Sequence, residues 1–386
     1  MARKLVKKMN VALIGQAFMG RAHSNAYRQV GRFFDCGLEP VMHTIAARNA
    51  ETLASFAAEQ GWSAHTTRWQ DIAEDGAIDF VDVATPNDSH RELSLAMLAA
   101  GKHVACEKPL AGTLKEAREM RDAAANAEGS QTFVWFNYRR APAIGLAYKL
   151  LREGRLGRIY HVRASYLQSW GGPATPLSWR FQKNLAGSGA HGDLNAHIVD
   201  LARFLVGEEI TEINGAIERT FIEERTQLGT NERKKCDVDD CTLFLASFAG
   251  GATASFEATR LAGGHLNDNT IEINGEGGSL RWNLENLNEL WFFDASDAER
   301  EAGWRRIVAT SADHHPYAAA WWPDGHICGY EHTFTNELAD ILRVLGDEQP
   351  VLPLPDFADA YETQRVLEAA LVAARERCAI PLSAVL

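Results

Sequence analysis

Long apolar runs are missing from this chain. No stretch approaches the roughly 18–20 apolar residues of a membrane span, and the apolar run at 11–14, behind a basic start at 1–10, is far too short for a secretory signal. An excess of basic charge is missing too. Against 39 Lys and Arg stand 51 Asp and Glu, a net charge of −12, which argues against the clustered basic surface that nucleic acid or an anionic membrane requires. Cysteine is sparse: the six residues (36, 106, 236, 241, 328, 378) are scattered and form no Cys-x-x-Cys pair. Cys236 and Cys241 flank Asp237-Val238-Asp239-Asp240, which lacks metal-ligand spacing, so the thiols read as reduced and no metal site is expected. Repeats and low-complexity segments are also absent. The expectation is a cytoplasmic protein whose partners are small molecules, with no nucleic acid and no membrane.

A chain of 386 residues is long for one core, so two domains are expected, at 1–138 and 139–386. The first opens on a short apolar strand, Asn10-Val11-Ala12-Leu13-Ile14, running into Gly15-Gln16-Ala17-Phe18-Met19-Gly20. This is the G-x-G-x-x-G pattern with alanine at the second glycine. Gly15 permits a tight turn, Ala17 is small enough for a pyrophosphate to approach the backbone, and Gly20 lets the following helix pack on the strand. Glycine-rich strand–helix turns also occur without a ligand; the position here, after a strand and before a helical stretch at 21–30, favours a dinucleotide.

A second strand at 41–46 ends in Ala47-Arg48-Asn49. An NAD site usually places an acid there to hold the adenosine ribose. A neutral residue followed by arginine suits a 2′-phosphate, so NADP is favoured over NAD, the alternative being that Arg48 stacks on adenine or is solvated. A third strand (78–84) leads into Thr85-Pro86-Asn87 and a helix bearing His90, which ends at Gly101. The strand at 102–106 stops abruptly at Glu107-Lys108-Pro109, where proline cannot continue the ladder and biases Lys108 toward an extended conformation. A further helix (113–128) and strand (132–136) complete an alternation that means a parallel, doubly wound sheet. Thr85, Asn87, Lys108 and Asn137 all fall just past strand ends, the edge where such sheets bind ligands.

The glycine loop, Thr85-Pro86-Asn87 with His90, and above all Ala100-Gly101-Lys102-His103-Val104 with Glu107-Lys108-Pro109 resemble the glucose–fructose oxidoreductase/inositol dehydrogenase (Gfo/Idh/MocA) family, across essentially the whole chain. The resemblance implies an α/β protein: an N-terminal Rossmann domain and a C-terminal α+β domain with a large, mostly antiparallel open sheet. It implies NAD or NADP, held by Gly15, Ala17, Phe18, Met19, Gly20, Ala47, Arg48, Thr85, Pro86, Asn87, His90, Glu107, Lys108, Asn137, Trp179 and Arg180. For Glu107, fixing the strand end is the preferred role.

Beyond residue 140 the pattern changes. After a helix (143–153), period-two alternation marks strands at 159–168, 242–248 and 253–260, the last two flanking Gly250-Gly251, a hairpin signal. Strands at 271–274, 279–283 and 289–293 follow, implying a sheet with one solvated or partner-covered face. Within this half lies Gly187-Ser188-Gly189-Ala190-His191-Gly192-Asp193-Leu194-Asn195-Ala196-His197. Asp193 and His197, four apart, share a helix face and can address one ligand. Singly, Asp193 reads as a first-turn helix acid and His197 as a core histidine; together they match the Gly-Asp-x-x-x-His element of the family. His191 either faces the substrate or only enters the helix.

Trp170, Gln168 and Trp179-Arg180 with Lys183 supply the aromatic faces and polar groups a carbohydrate ring needs, although Trp170 reads equally as core. Trp179-Arg180 with Lys183, and the aromatic stretch 317–330 (Trp321, Trp322, His326), are similar to members acting on pyranosides, anhydrosugars and inositols. The resemblance implies substrate contacts from Lys108, Tyr138, Arg139, Gln168, Arg180, His191, Asp193 and His197. Helices are expected at 331–345 and about 358–377, the last returning to the domain junction.

The expected reaction is oxidation of a ring secondary alcohol of a pyranose, anhydrosugar or inositol, with Lys108, Asp193 and His197 catalytic. Either Lys108 or His197 can be the base, since a cationic nicotinamide beside the ammonium favours its deprotonation. The alternatives are a glycosidase that oxidises and re-reduces its substrate around an elimination, and a non-catalytic cofactor-sensing regulator. The exposed sheet face leads us to expect a homodimer or homotetramer.

Overall fold

The structure is a computed structural model that describes residues 7–385; residues 1–6, part of the basic start, lie outside the described residues. In chain order the first elements are β1 (Lys7–Ile14), α1 (Phe18–Phe33), β2 (Leu38–Ala46), α2 (Ala50–Gln60), β3 (Ala64–Thr66), α3 (Trp69–Glu74), β4 (Phe80–Val83), α4 (His90–Ala99), β5 (His103–Cys106), α5 (Leu114–Asn126) and β6 (Thr132–Val134). Then come α6 (Pro142–Arg152), β7 (Ile159–Leu167), α7 (Lys183–Ala186), α8 (Ala196–Val206), β8 (Ile210–Arg219), β9 (Glu224–Thr226), β10 (Arg233–Lys235), β11 (Cys241–Phe248) and β12 (Thr253–Thr259). The chain closes with β13 (Asp268–Gly275), β14 (Gly278–Asn283), β15 (Glu289–Asp294), β16 (Arg305–Val308), α9 (Pro316–Trp321), α10 (Tyr330–Leu345), α11 (Phe357–Glu376) and β17 (Ile380–Pro381).

The chain forms two compact units. The first comprises Met1–Ala111, Lys115–Arg140 and Gly329–Tyr361. Its six strands lie in the order β3-β2-β1-β4-β5-β6, all parallel, the doubly wound order whose reversal between β1 and β4 makes a ligand crevice at the strands' carboxyl ends. Val11, Ala12, Leu13 and Ile14 are all buried, as a central strand covered on both faces requires. On α1 the buried positions Gly20, His23, Ser24, Tyr27 and Val30 recur at three- and four-residue steps and turn one face inward. The sequence signal is blind to β3 and α3: β3 is three residues at the sheet edge, Ala64 and His65 exposed and Thr66 half-buried. It is also blind to the fate of α10. Phe334, Leu338, Ile341 and Leu342 of α10 join Val11, Tyr27, Val30 and Trp135 in one core cluster. The single boundary expected at 138/139 is therefore replaced by a three-segment unit, and the division near the chain's end falls within α11.

The second unit comprises Gly112–Leu114, Ala141–Cys328 and Glu362–Leu386. Its nine strands run β16-β15-β14-β13-β7-β12-β11-β8-β17. The β7–β12 pair is parallel and the other neighbours are antiparallel. Along β7, β11, β12 and β13, alternate residues such as Val162, Tyr166, Phe244, Phe256 and Ile271 are buried. On the other face Ile217, Leu243 and Leu245 stand exposed. The expected strands, the hairpin at Gly250-Gly251 and the one-sided sheet are present; β8, β16 and β17 are additional.

Candidate active site

In the first unit the loop after β1 is shaped around missing side chains. Gly15 has φ +125, and a Cβ there would lie 2.4 Å from the carbonyl oxygen of Ala84; one on Gly20 would lie 2.2 Å from that of Gly15. The first turn of α1 carries no acid, so its amides and dipole suit an anion. Backbone close-packed on backbone beneath a helix N-terminus fits a dinucleotide pyrophosphate. Phe18 is exposed on that turn and stacks on Tyr330, ring centroids 6.1 Å apart. Gln16 ties the loop to the start of α2, its Nε2–H groups donating to Thr52 Oγ1 (3.0 Å) and Asn49 O (3.3 Å). Ala47 is half-buried and Arg48 exposed past β2, while Asn49 caps α2 by accepting from the Glu51 N–H.

The β4 and β5 ends are held by a buried set that the motifs reveal only in part. His90 is fully buried, with Nε2 2.9 Å from Thr85 O and Nδ1 3.0 Å from Pro109 O. Burial lowers its pKa, and the neutral ring has one N–H for two carbonyls. The expected cofactor contact from His90 is thus corrected: its nitrogens face inward and brace the loops bearing Thr85 and Lys108. Ser89 Oγ lies 2.7 Å from Thr85 Oγ1 and 2.8 Å from Pro86 O, fixing the turn before Asn87. The Lys108–Pro109 bond is cis. Glu107, 5% exposed, accepts from the Lys108 backbone N–H at 3.0 Å, in keeping with a strand-fixing role rather than a cofactor contact.

Past β6 the structure turns three further expected contacts inward. Asn137 is buried and donates from Nδ2 to Thr333 Oγ1 at 2.8 Å. Tyr138 is buried near the Tyr330 ring. Arg139 is buried and paired with Asp359 at 2.6 Å, so its charge is already engaged and the substrate contact expected of it is corrected to a structural one.

In the second unit, residues 191–195 form a π-helical turn leading into α8, a local insertion often found at functional sites. Asp239 holds this entry: its carboxylate accepts from the backbone N–H groups of Gly189 (2.6 Å) and His191 (2.7 Å). Asp240 does the same for Phe221 and Ile222, at 2.8 Å each. The acidic run therefore anchors loops. His191 is buried, with Nε2 2.9 Å from Leu367 O and Nδ1 3.0 Å from Asn195 Nδ2. Of its two readings the structure selects helix entry, and the substrate contact is corrected.

Asp193 and His197 are brought together with groups the sequence only partly announced. Asp193 Oδ2 accepts from the buried Arg260 guanidinium at 2.7 Å. Arg180, over the Trp179 ring at 4.5 Å, is depressed in pKa by burial, partly opposed by Asp193 and reinforced by Arg260. Asp193 thus sits among two arginines. Arg260 also lies over the Trp170 ring at 4.9 Å. His197 is largely buried, its ring 5.8 Å from that of Tyr166. Tyr166 OH and Gln168 Nε2 both donate to Asn267 Oδ1 at 2.7 Å, and Trp170 Nε1 donates to Gln168 Oε1 at 2.5 Å. Such a wall of indole, phenol, amides, carboxylate and imidazole can hold a polyhydroxylated ring and move its protons. In the stretch 317–330, Pro316–Trp321 is helical with Tyr317 and Trp321 buried, and Trp322 and His326 are exposed.

The parallel sheet and the anion-ready α1 define a Rossmann-type nucleotide-binding domain. Residues 9–135 match the oxidoreductase family with NAD-binding Rossmann fold, and residues 145–281 match the GFO/IDH/MocA C-terminal domain. The chain belongs to the GFO/IDH/MocA family. It is 41% identical over 379 residues to a levoglucosan dehydrogenase of Pseudarthrobacter phenanthrenivorans, covering 94% of this chain and 95% of that protein. Among solved structures, an oxidoreductase domain protein from Kribbella flavida superposes with a TM-score of 0.93 at 46% identity, covering 97% of this chain and 99% of that one. A levoglucosan dehydrogenase in complex with NADH and levoglucosan gives 0.92 at 40% identity, covering 97% and 100%. Among the described residues no helix is long and apolar enough to cross a membrane, and no cluster of His, Cys, Asp and Glu could hold a metal ion.

Proposed function

We propose that this protein is an NAD(P)-dependent dehydrogenase that oxidises a ring secondary alcohol of a pyranose, anhydrosugar or inositol to the ketone. The observation that carries the reading is Asp193 set against Arg260 and Arg180, with Trp170 and Gln168 beside them and His197 against Tyr166, in a chain similar over nearly its whole length to a levoglucosan dehydrogenase. A bound nicotinamide would supply the hydride acceptor for oxidation of the carbinol carbon. The loop at Gly15–Gly20 and the first turn of α1 would hold its pyrophosphate. Lys108 steadies the developing alkoxide as a cation, and His197 takes the hydroxyl proton. Asp193, pinned by Arg260, holds a neighbouring hydroxyl and orients the ring. The products are the ketone, the reduced dinucleotide and one proton.

The exposed Arg48, with Ala47 where an acid would repel a phosphate, favours NADP; Glu51 in the first turn of α2 opposes it. The test is a spectrophotometric screen of inositols, aldopyranoses and anhydrosugars with NAD and NADP in parallel. Reduction with at least one such sugar is expected, and reduction with NAD alone would overturn the Arg48 assignment. On the best substrate, Lys108→Met and His197→Asn should each lower kcat about 10²-fold or more. Near-wild-type turnover in both would remove these residues from the mechanism.

A further inference from the structure

The mechanism makes no use of a buried charge cluster in the first unit. His23, one turn into α1, is fully buried between two carboxylates: Nδ1 lies 2.9 Å from Asp82 Oδ2 and Nε2 lies 3.0 Å from Glu107 Oε1. Asp82 also accepts from Tyr27 OH (3.0 Å) and Trp135 Nε1 (2.9 Å). Glu107 uses its other oxygen on the Lys108 N–H at 3.0 Å. The imidazole packs on the rings of Trp135, centroids 4.4 Å apart, and Phe334, 5.3 Å.

Only a doubly protonated ring can donate to both carboxylates, and the adjoining aromatic rings favour a cation. Burial alone would depress the His23 pKa; Asp82, by charge and hydrogen bond, and then Glu107 overcome this and leave it at about 10. The other titratable groups facing the cluster are Tyr27, Cys106 and His90. The first two are pushed up, chiefly by burial, and His90 is pushed down by it. At neutral pH these three carry no charge, so the cluster holds one cation against two anions.

We infer that His23 is a positioning residue for the proposed oxidation: a permanent buried imidazolium that fixes the Glu107 carboxylate, and through it the backbone of Lys108, to the helix that carries the dinucleotide loop. It rests on the assignment of Lys108 given above. His23 also cancels one of the two negative charges, Asp82 and Glu107, in the cluster that reaches the Lys108 backbone. A neutral residue at 23 leaves Glu107 uncompensated, and the extra negative charge disfavours proton loss from a neighbouring cation.

The test is the pH profile of kcat for wild type, H23N and the double variant H23N/E107Q, with thermal unfolding recorded for each. H23N should move the ionisation limb of kcat to higher pH by about one unit and lower kcat while leaving KM for the dinucleotide within about twofold. H23N/E107Q, which restores the net charge, should bring the limb back toward wild type. A limb that stays in place in H23N, or that shifts equally in both variants, overturns the inference. If H23N does not fold, ¹⁵N NMR of the wild-type imidazole decides: a neutral ring at pH 8 sinks the proposal, and a doubly protonated one supports it. Lys108→Met separates the two claims. Retained turnover there removes the Lys108 assignment and this inference with it; lost turnover with an unmoved H23N limb removes this inference alone.

Discussion

Arg260 is the residue whose chemistry was least visible beforehand. Its guanidinium is 67 residues from Asp193 along the chain, and nothing local marks it as more than the end of a strand. Pairing it with a partly exposed carboxylate while its own head is buried makes the interaction asymmetric: removing the arginine takes from Asp193 its hydrogen-bonded cation and leaves Arg180 as the neighbouring one. Arg260→Met should therefore raise the sugar KM about tenfold, leave the dinucleotide KM unchanged, and lower stability by about 2 kcal/mol, as read by urea unfolding and steady-state kinetics. An equal loss in both KM values would mean a general unfolding of the site. Lys108, Asp193 and His197 stand out in the sequence because each lies in a local motif. The inward turns of His90, Arg139 and His191 were not, because their partners Pro109, Asp359 and Leu367 lie up to hundreds of residues away. A sequence motif reports which residue stands at a position, and only packing decides which way it faces.

At the scale of elements, strands with an apolar run or clean alternation were readable, since periodicity survives without tertiary context. The edge strand β3, the two-residue β17 and the short α3 carry too few residues to show a period. α1 does more than its glycine entry suggests, because its buried face carries His23 and Tyr27 as well as apolar side chains. The linkage sign follows from the pKa values. Below pH 6.5 His23 is protonated in folded and unfolded chains alike, and its contribution is complete. The unfolded histidine loses its proton near 6.5 and the folded one near 10, so stability falls as pH rises through that window. Urea unfolding from pH 6 to 10 should show this alkaline decline in wild type and a flatter one in H23N. Parallel slopes would deny the buried imidazolium.

For the whole molecule, the two sheet classes followed from the change of hydrophobic period near residue 140, while the segmental layout did not, because nothing in 329–361 differs in pattern from any amphipathic pair of helices. The nine-stranded sheet leaves Ile217, Leu243 and Leu245 on an open face, and apolar side chains gathered on one sheet face mark an association surface. A second copy of this chain seated there would give a homodimer. Light scattering behind size exclusion should report twice the 42.6 kDa chain mass or a multiple of it, and Leu245→Glu should shift the population toward monomer. A wild-type monomer at micromolar concentration would leave the face without this role.

The return of α10 to the first unit has a consequence for biosynthesis. A ribosome releases β1 to β6 nearly two hundred residues before Phe334, Leu338 and Leu342, so the nascent sheet waits with part of its core uncovered while residues 141–328 of the second unit are made. The half begun first is completed only after most of the other has been made. An N-terminal fragment ending at residue 140 should consequently bind hydrophobic dyes and chaperones, and supplying residues 329–361 by circular permutation or fusion should cure it.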